Sequence, residues 1–167
     1  MEEYKGIFDL IEALKNVRGE FCLNVAGDGQ ALPEAKIRAQ EAFPDGPFGP
    51  RIRFWGRLSQ AELKEQIWPI TNVLINPSRV AESFGLVVAE AQANGVSALV
   101  SDRGALPELV AEGETGWIFH GDLKEKIQWC LDHPEAVAKM RENCLAAARK
   151  FDLENYLNKL IEFGKIR

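Results

Sequence analysis

The chain has 167 residues, enough for one domain with a well-buried core. With 46% hydrophobic and 27% charged residues it reads as a globular protein, which excludes a disordered or low-complexity chain. Twenty basic residues against 25 acidic ones leave a net charge of −5, which argues against general nucleic-acid binding.

Strand and helix signals alternate from the start. Ile7, Leu10, Ile11 and Leu14 fall at helical spacing within Gly6 to Val17. Phe21 to Ala26 is a short apolar run ending in Gly27-Asp28-Gly29, a strand followed by a tight turn. A helix is predicted over Leu32 to Ala42, and Pro44 to Pro50 reads as a surface loop. Ile52 to Trp55 is the next strand. Ser59 and Glu62 then form a capping box that opens a helix stopping near Trp68-Pro69. Asn72 to Asn76 is a strand, Phe84 to Asn94 a helix, and Ala98 to Ser101 a strand. Pro107 to Glu112 is a short helix and Thr115 to Phe119 a last strand, followed by amphipathic helices over Asp122 to His133, Pro134 to Lys150 and Leu153 to Phe163.

Short apolar strands separated by helices predict an α/β domain with a parallel, Rossmann-like sheet covered on both faces. Ligands of such sheets bind beyond the carboxyl ends of the strands. Gly27, Gly56, Pro77 to Ser83 and Asp102 to Ala105 should therefore share one rim. A doubly wound domain normally begins with a strand. Only four residues precede Lys5-Gly6 here, so the first strand is expected to be missing.

No apolar run approaches the roughly 18 residues of a transmembrane helix, and Met1-Glu2-Glu3-Tyr4 lacks the blocks of a signal peptide. Cys22, Cys130 and Cys144 are widely spaced, and His120 and His133 fall in no metal-ligand spacing. The expectation is reduced cysteines, no metal and a cytoplasmic chain, any membrane contact being made through another domain.

The segment Pro77 to Ala91 carries the most chemistry. It follows a strand and opens a helix, where the amides of Phe84, Gly85, Leu86 and Val87 would be first-turn donors facing the rim. With the helix dipole they suit a phosphate, and Gly85 allows close approach. Glu82 stands before this helix and Glu90 about two turns in. Either carboxylate suits paired hydroxyls of a sugar or ribose, although capping or solvation alone also accounts for a glutamate at each place.

This run, two glutamates flanking seven residues that begin Ser83-Phe84-Gly85-Leu86, resembles the donor-site motif of family-4 glycosyltransferases of the GT-B fold. Lys5-Gly6, Val25 to Gly29, Arg53 to Gly56, Leu106 to Val110 and Gly113 to Gly116 extend the resemblance over nearly the whole chain. The resemblance implies the C-terminal, donor-binding domain of a retaining hexosyltransferase that uses a nucleoside-diphosphate sugar, uridine being the commonest base. It also implies roles by position. Glu82 would take hydroxyls of the donor sugar, with the amides of Phe84 and Gly85 on the same sugar. The amides of Leu86 and Val87 would meet the diphosphate, Glu90 the ribose, and Lys5 the leaving diphosphate. Gly27 would let the ligand approach, and Arg57 and Leu58 would cradle the base. No cofactor or metal is implied, and no Asp-x-Asp motif occurs.

Ser97 stands where the family often has proline, and Gly104-Ala105 where it often has two glycines. The first should alter only the start of a strand, while the second leaves the donor sugar open. Trp55, Trp68, Trp117 and Trp129 read as core or interface, Asp28 and Asp102 as turn residues. Transfer would require the acceptor-binding N-terminal domain, or another chain supplying a strand, so the domain alone is expected to be inactive. Two alternatives stand beside this reading: a GT-B relative such as a glycogen synthase or sugar epimerase, and a non-catalytic nucleotide-sugar-binding module.

Overall fold

A computed structural model describes residues 5–44 and 51–151. Helix α1 (Ile7–Leu14) places all four of its spaced apolar residues, Ile7, Leu10, Ile11 and Leu14, in the core. Burial of each such side chain is worth about 1.5–3 kcal/mol, which fixes this short helix where its propensity alone would not. Strand β1 (Leu23–Ala26), helix α2 (Leu32–Ala42) and strand β2 (Ile52–Gly56) follow.

Ser59 caps α3 (Gln60–Glu62) with both halves of the capping box present. The helical path continues through a wide turn at Leu63–Ile67 and a tight one at Trp68–Ile70. Hydrogen bonds from the Ser59 backbone and hydroxyl lower the Glu62 carboxyl below its ordinary value. That stabilisation is present at neutral pH and is lost as pH falls through the lowered value. Ser59→Ala is expected to cost about 1 kcal/mol in urea unfolding at neutral pH; an unchanged midpoint would show that the cap contributes nothing.

Strand β3 (Val73–Asn76), helix α4 (Leu86–Ala93), strand β4 (Ser97–Ser101) and strand β5 (Gly116–Phe119) complete the strands among the described residues, with a tight turn at Leu106–Leu109 before β5. Helices α5 (Leu123–Asp132), α6 (Pro134–Lys139) and α7 (Arg141–Ala148) close the described chain. The single helix expected from Pro134 divides at buried Met140. The helix expected over 153–163 lies outside the described residues.

All pairings are parallel. Strand β4 lies between β3 and β5, with Leu74 opposite Ala98 and Leu99 opposite Trp117. Its five residues are all buried. Ala98 and Val100 pack toward α4 and the Leu106–Leu109 turn, while Leu99 packs with α1, so helices cover both faces. The fold is the Rossmann-like α/β arrangement expected from the sequence.

Strands β1 and β2 form a separate pair, and β1 is not hydrogen-bonded to β3. Both sheets contribute to one core under α1, where Val25 and Ile52 from one meet Leu99 and Trp117 from the other. Among the described residues no strand precedes α1.

The three cysteines are unpaired. Burial pushes the Cys130 and Cys144 thiols up to about 11, far from the thiolate a reactive cysteine needs. Among the described residues no helix is long and apolar enough to cross a membrane, and no cluster of His, Cys, Asp and Glu could hold a metal ion.

Candidate functional site

Three anchors build the rim around the loop that follows β3. Gly6, the left-handed N-cap of α1, lies so close to Pro77 that an added Cβ would sit 1.9 Å from its carbonyl oxygen. Arg79 holds Asp9 on the first turn of α1 through two bonds of 2.5 Å. Buried Ser101, at the end of β4, donates its hydroxyl to the Ser78 carbonyl at 2.7 Å. The loop is thus tied to both α1 and β4 before it reaches Glu82.

Lys5 Nζ meets Glu82 Oε1 at 2.5 Å, joining residues 77 positions apart. The Glu82 side chain is 17% exposed against 43% for Lys5, so the pair is reachable from the rim but partly shielded. The Glu82 carbonyl accepts from the Ala105 amide at 2.9 Å, and Glu82 bridges Gly104 in parallel fashion. Gly104 is required at this crossing, because a Cβ there would lie 2.3 Å from the Glu82 carbonyl oxygen. The Gly104-Ala105 segment therefore seats Glu82 as well as bordering the space in front of it. An open cleft of about 400 Å³ is lined by Lys5, Val80, Ala81, Glu82 and Ser83. A second groove of about 390 Å³, on the flank between α1 and α2, is lined largely by charged residues, among them Asp9 and Arg79; Glu82 does not line it.

Helix α4 starts two residues later than the sequence suggests. Gly85 takes a left-handed conformation (φ 84°) and caps the helix, leaving Phe84 outside it. The positive φ favours glycine here, and an added Cβ would also meet the end of the Leu106 side chain at 2.6 Å. The Val88 amide already bonds the Gly85 carbonyl, so the first-turn donors are those of Leu86 and Val87, whose side chains are exposed. The later start also places Glu90 one turn into the helix, about 6 Å along its axis from Leu86, rather than two turns in.

The other sheet ends nearby, after β2, where α3 meets α4. The Gly27 amide donates to the Gly56 carbonyl at 2.6 Å, bringing the ends of β1 and β2 together. Arg57 follows exposed and Leu58 half-buried. Gln60, which carries no motif signal, donates its side-chain amide to Glu90 Oε1 at 2.9 Å. A further pair stands at the ends of β4 and β5, where His120 lies 3.1 Å from Asp102 and Arg103 lies 3.3 Å from it. The hydrogen bond to His120 is the main cause that holds the Asp102 carboxyl below its ordinary value.

The structure thus brings Lys5, Glu82, Phe84, Gly85, Leu86, Val87 and Glu90 along one loop and helix start, and Gly27, Arg57 and Leu58 onto the adjoining strand ends. Sequence reasoning missed Gln60, the Asp9–Arg79 clamp and the His120–Asp102 pair. None has periodicity or local spacing that could have disclosed it.

Known proteins resemble this chain in sequence and in architecture. A D-inositol 3-phosphate glycosyltransferase from Corynebacterium glutamicum is 36% identical over 164 residues, covering 90% of this chain and 38% of that protein. An alpha-maltose-1-phosphate synthase from Mycobacterium tuberculosis is 30% identical over 135 residues, covering 80% and 34%. The chain therefore spans little more than a third of the length of these two relatives. HepE from Anabaena, solved in complex with UDP-glucose, superposes with a TM-score of 0.81 at 22% identity, over 98% of this chain and 46% of that one. Sucrose-phosphate synthase from Thermosynechococcus elongatus gives 0.80 at 25% identity, over 98% and 42%. The model of the family described as "Glycosyl transferases group 1" matches residues 1–151, and with it the chain belongs to that family of glycosyltransferases, with the architecture of one Rossmann-like half of the GT-B fold.

Proposed function

We propose that this domain binds the donor of a retaining hexosyltransferase, a nucleoside-diphosphate sugar with uridine as its base. The observation that carries the reading is the meeting of Lys5 and Glu82 at the mouth of α4, with Glu90 one turn further on. Glu82 takes hydroxyls of the sugar, with the amides of Phe84 and Gly85 beside it. The amides of Leu86 and Val87, aided by the helix dipole, take the diphosphate. Glu90 takes the ribose, and Arg57 and Leu58 flank the base where Gly27 lets it approach.

In transfer, the bond between the anomeric carbon and the diphosphate oxygen breaks, and the acceptor oxygen bonds to that carbon on the same face. The acceptor proton passes to the departing phosphate oxygen, so no protein nucleophile is needed. Lys5, a compact charge beside the leaving group, stabilises the charge that develops there. The acceptor site belongs to an N-terminal domain, and the domain alone transfers nothing. We further assign the seam between β1 and β3 to a strand supplied by the rest of the enzyme or by another chain, because unpaired ladder groups at mid-sheet are costly when buried. The UDP-glucose held by HepE supports the choice of ligand class.

Calorimetry with UDP, GDP and ADP tests the reading. UDP is expected to bind best, and Glu90→Ala to weaken it by about tenfold, near the worth of a hydrogen bond to a charged group. Stronger binding of GDP or ADP would overturn the base assignment. Binding unaffected by Glu90→Ala would remove Glu90 from the site.

A further inference from the structure

The hydrogen bond from Gln60 to Glu90 has a distinctive place in this molecule. It joins residues 30 positions apart at 2.9 Å. Gln60 opens α3 directly after β2, and Glu90 lies on α4 directly after β3, so the bond spans two sheets that no ladder joins. The capping box at Ser59 and Glu62 fixes the backbone on either side of Gln60. Arg57 and Leu58 immediately precede it on the same wall. A primary amide is neutral, so it orients the carboxylate without cancelling its charge. It occupies one Glu90 oxygen and leaves the other, with its lone pairs, for a ligand.

We propose that Gln60 is a positioning residue that makes Glu90 selective for a ribose carrying both hydroxyls. The inference rests on the donor-site reading above. Base and ribose of a nucleotide are joined by a single bond. A wall that holds the base and a carboxylate that reads the sugar must therefore keep a fixed separation. Gln60 sets that separation, because it belongs to the first and holds the second. Without it, Glu90 regains its side-chain rotamers and presents its oxygens to the diol only part of the time.

The test compares UDP with 2′,3′-dideoxy-UDP on the wild-type chain, Gln60→Ala and Gln60→Glu. Glutamate at the first helical position favours the helix through its dipole, so Gln60→Glu keeps the fold while replacing a donor by a repelling charge. Both variants are expected to bind UDP about tenfold more weakly, as when one charged hydrogen bond is lost, while the dideoxy nucleotide binds within about twofold of wild type. The preference for the intact ribose then collapses. Equal weakening of both nucleotides would make Gln60 a general structural support and overturn the proposal, as would wild-type affinity in Gln60→Glu. Wild-type protein that binds neither nucleotide, or both equally, would instead overturn the donor-site reading, and the proposal with it.

Discussion

Lys5→Ala, made in the enzyme that carries this domain, is expected to lower kcat by roughly 10²–10³-fold, the loss typical when one preorganised charge-stabilising group is removed. The nucleotide affinity should fall only several-fold. The reason lies in the resting contact: Lys5 is engaged with Glu82 and must share itself with the incoming diphosphate, so part of its ground-state attraction is already spent. Its full effect appears when charge accumulates on the departing oxygen. Lys5→Arg should recover little, because a planar fork does not reproduce a compact ammonium at a 2.5 Å contact. Steady-state kinetics separates the cases. A kcat within threefold of wild type would remove Lys5 from the chemistry, and an equal loss in kcat and nucleotide affinity would make its role one of binding.

The second large effect is expected at Gly6. Its φ of 77° is strained for any other residue, by about 1–2 kcal/mol, and the added Cβ would lie 1.9 Å from the Pro77 carbonyl oxygen. Backbone atoms on both sides must then move. Gly6→Ala is therefore expected to cost about 3–5 kcal/mol, a large part of the stability of an ordinary domain. Gly19→Ala is the control, since Gly19 also has positive φ (100°) but nothing within 4 Å of the added atom. Urea unfolding should show Gly19→Ala losing only the backbone cost. Similar losses in the two variants would mean that the contact with Pro77 relaxes freely. Any Gly6→Ala protein that folds should also bind nucleotide poorly, because Lys5 and the loop leading to Glu82 separate at this contact.

Much of the fold was legible because it rests on local pattern. The spacing of Ile7, Leu10, Ile11 and Leu14 specified α1 and its buried face, and Ser59 with Glu62 specified where α3 begins. The strands were legible as apolar runs bounded by turn residues, and their alternation with helices indicated parallel pairing, though not the division into two sheets. The start of α4 was misplaced because Gly85 takes a left-handed turn, packed against Leu106 and Leu109, side chains some 20 positions downstream. The same displacement leaves Glu90 about half a turn closer to the start of the helix than the sequence suggests. Glu82 was singled out by its motif, yet the ion pair with Lys5 could not be read from spacing, because it closes over 77 positions. Gln60 was invisible for a plainer reason. A glutamine after a cap residue looks like solvated surface until the neighbouring helix is in place.

The seam between β1 and β3 also divides the residues of the proposed donor site between two sheets. Gly27, Arg57 and Leu58 ride on the β1–β2 pair, while Glu82 and α4 ride on the β3–β5 sheet. A continuous ladder would lock these walls at a fixed spacing. Here the spacing is held by apolar packing beneath α1, by Leu63 and Trp68 packed with Ala91 and Val96 beside α4, and by the bond from Gln60 to Glu90. Packed side chains resist compression but allow small sliding shifts. The spacing of these two parts therefore rests on side-chain packing, and a strand seated in the seam would add a ladder to it in the same step that completes the sheet.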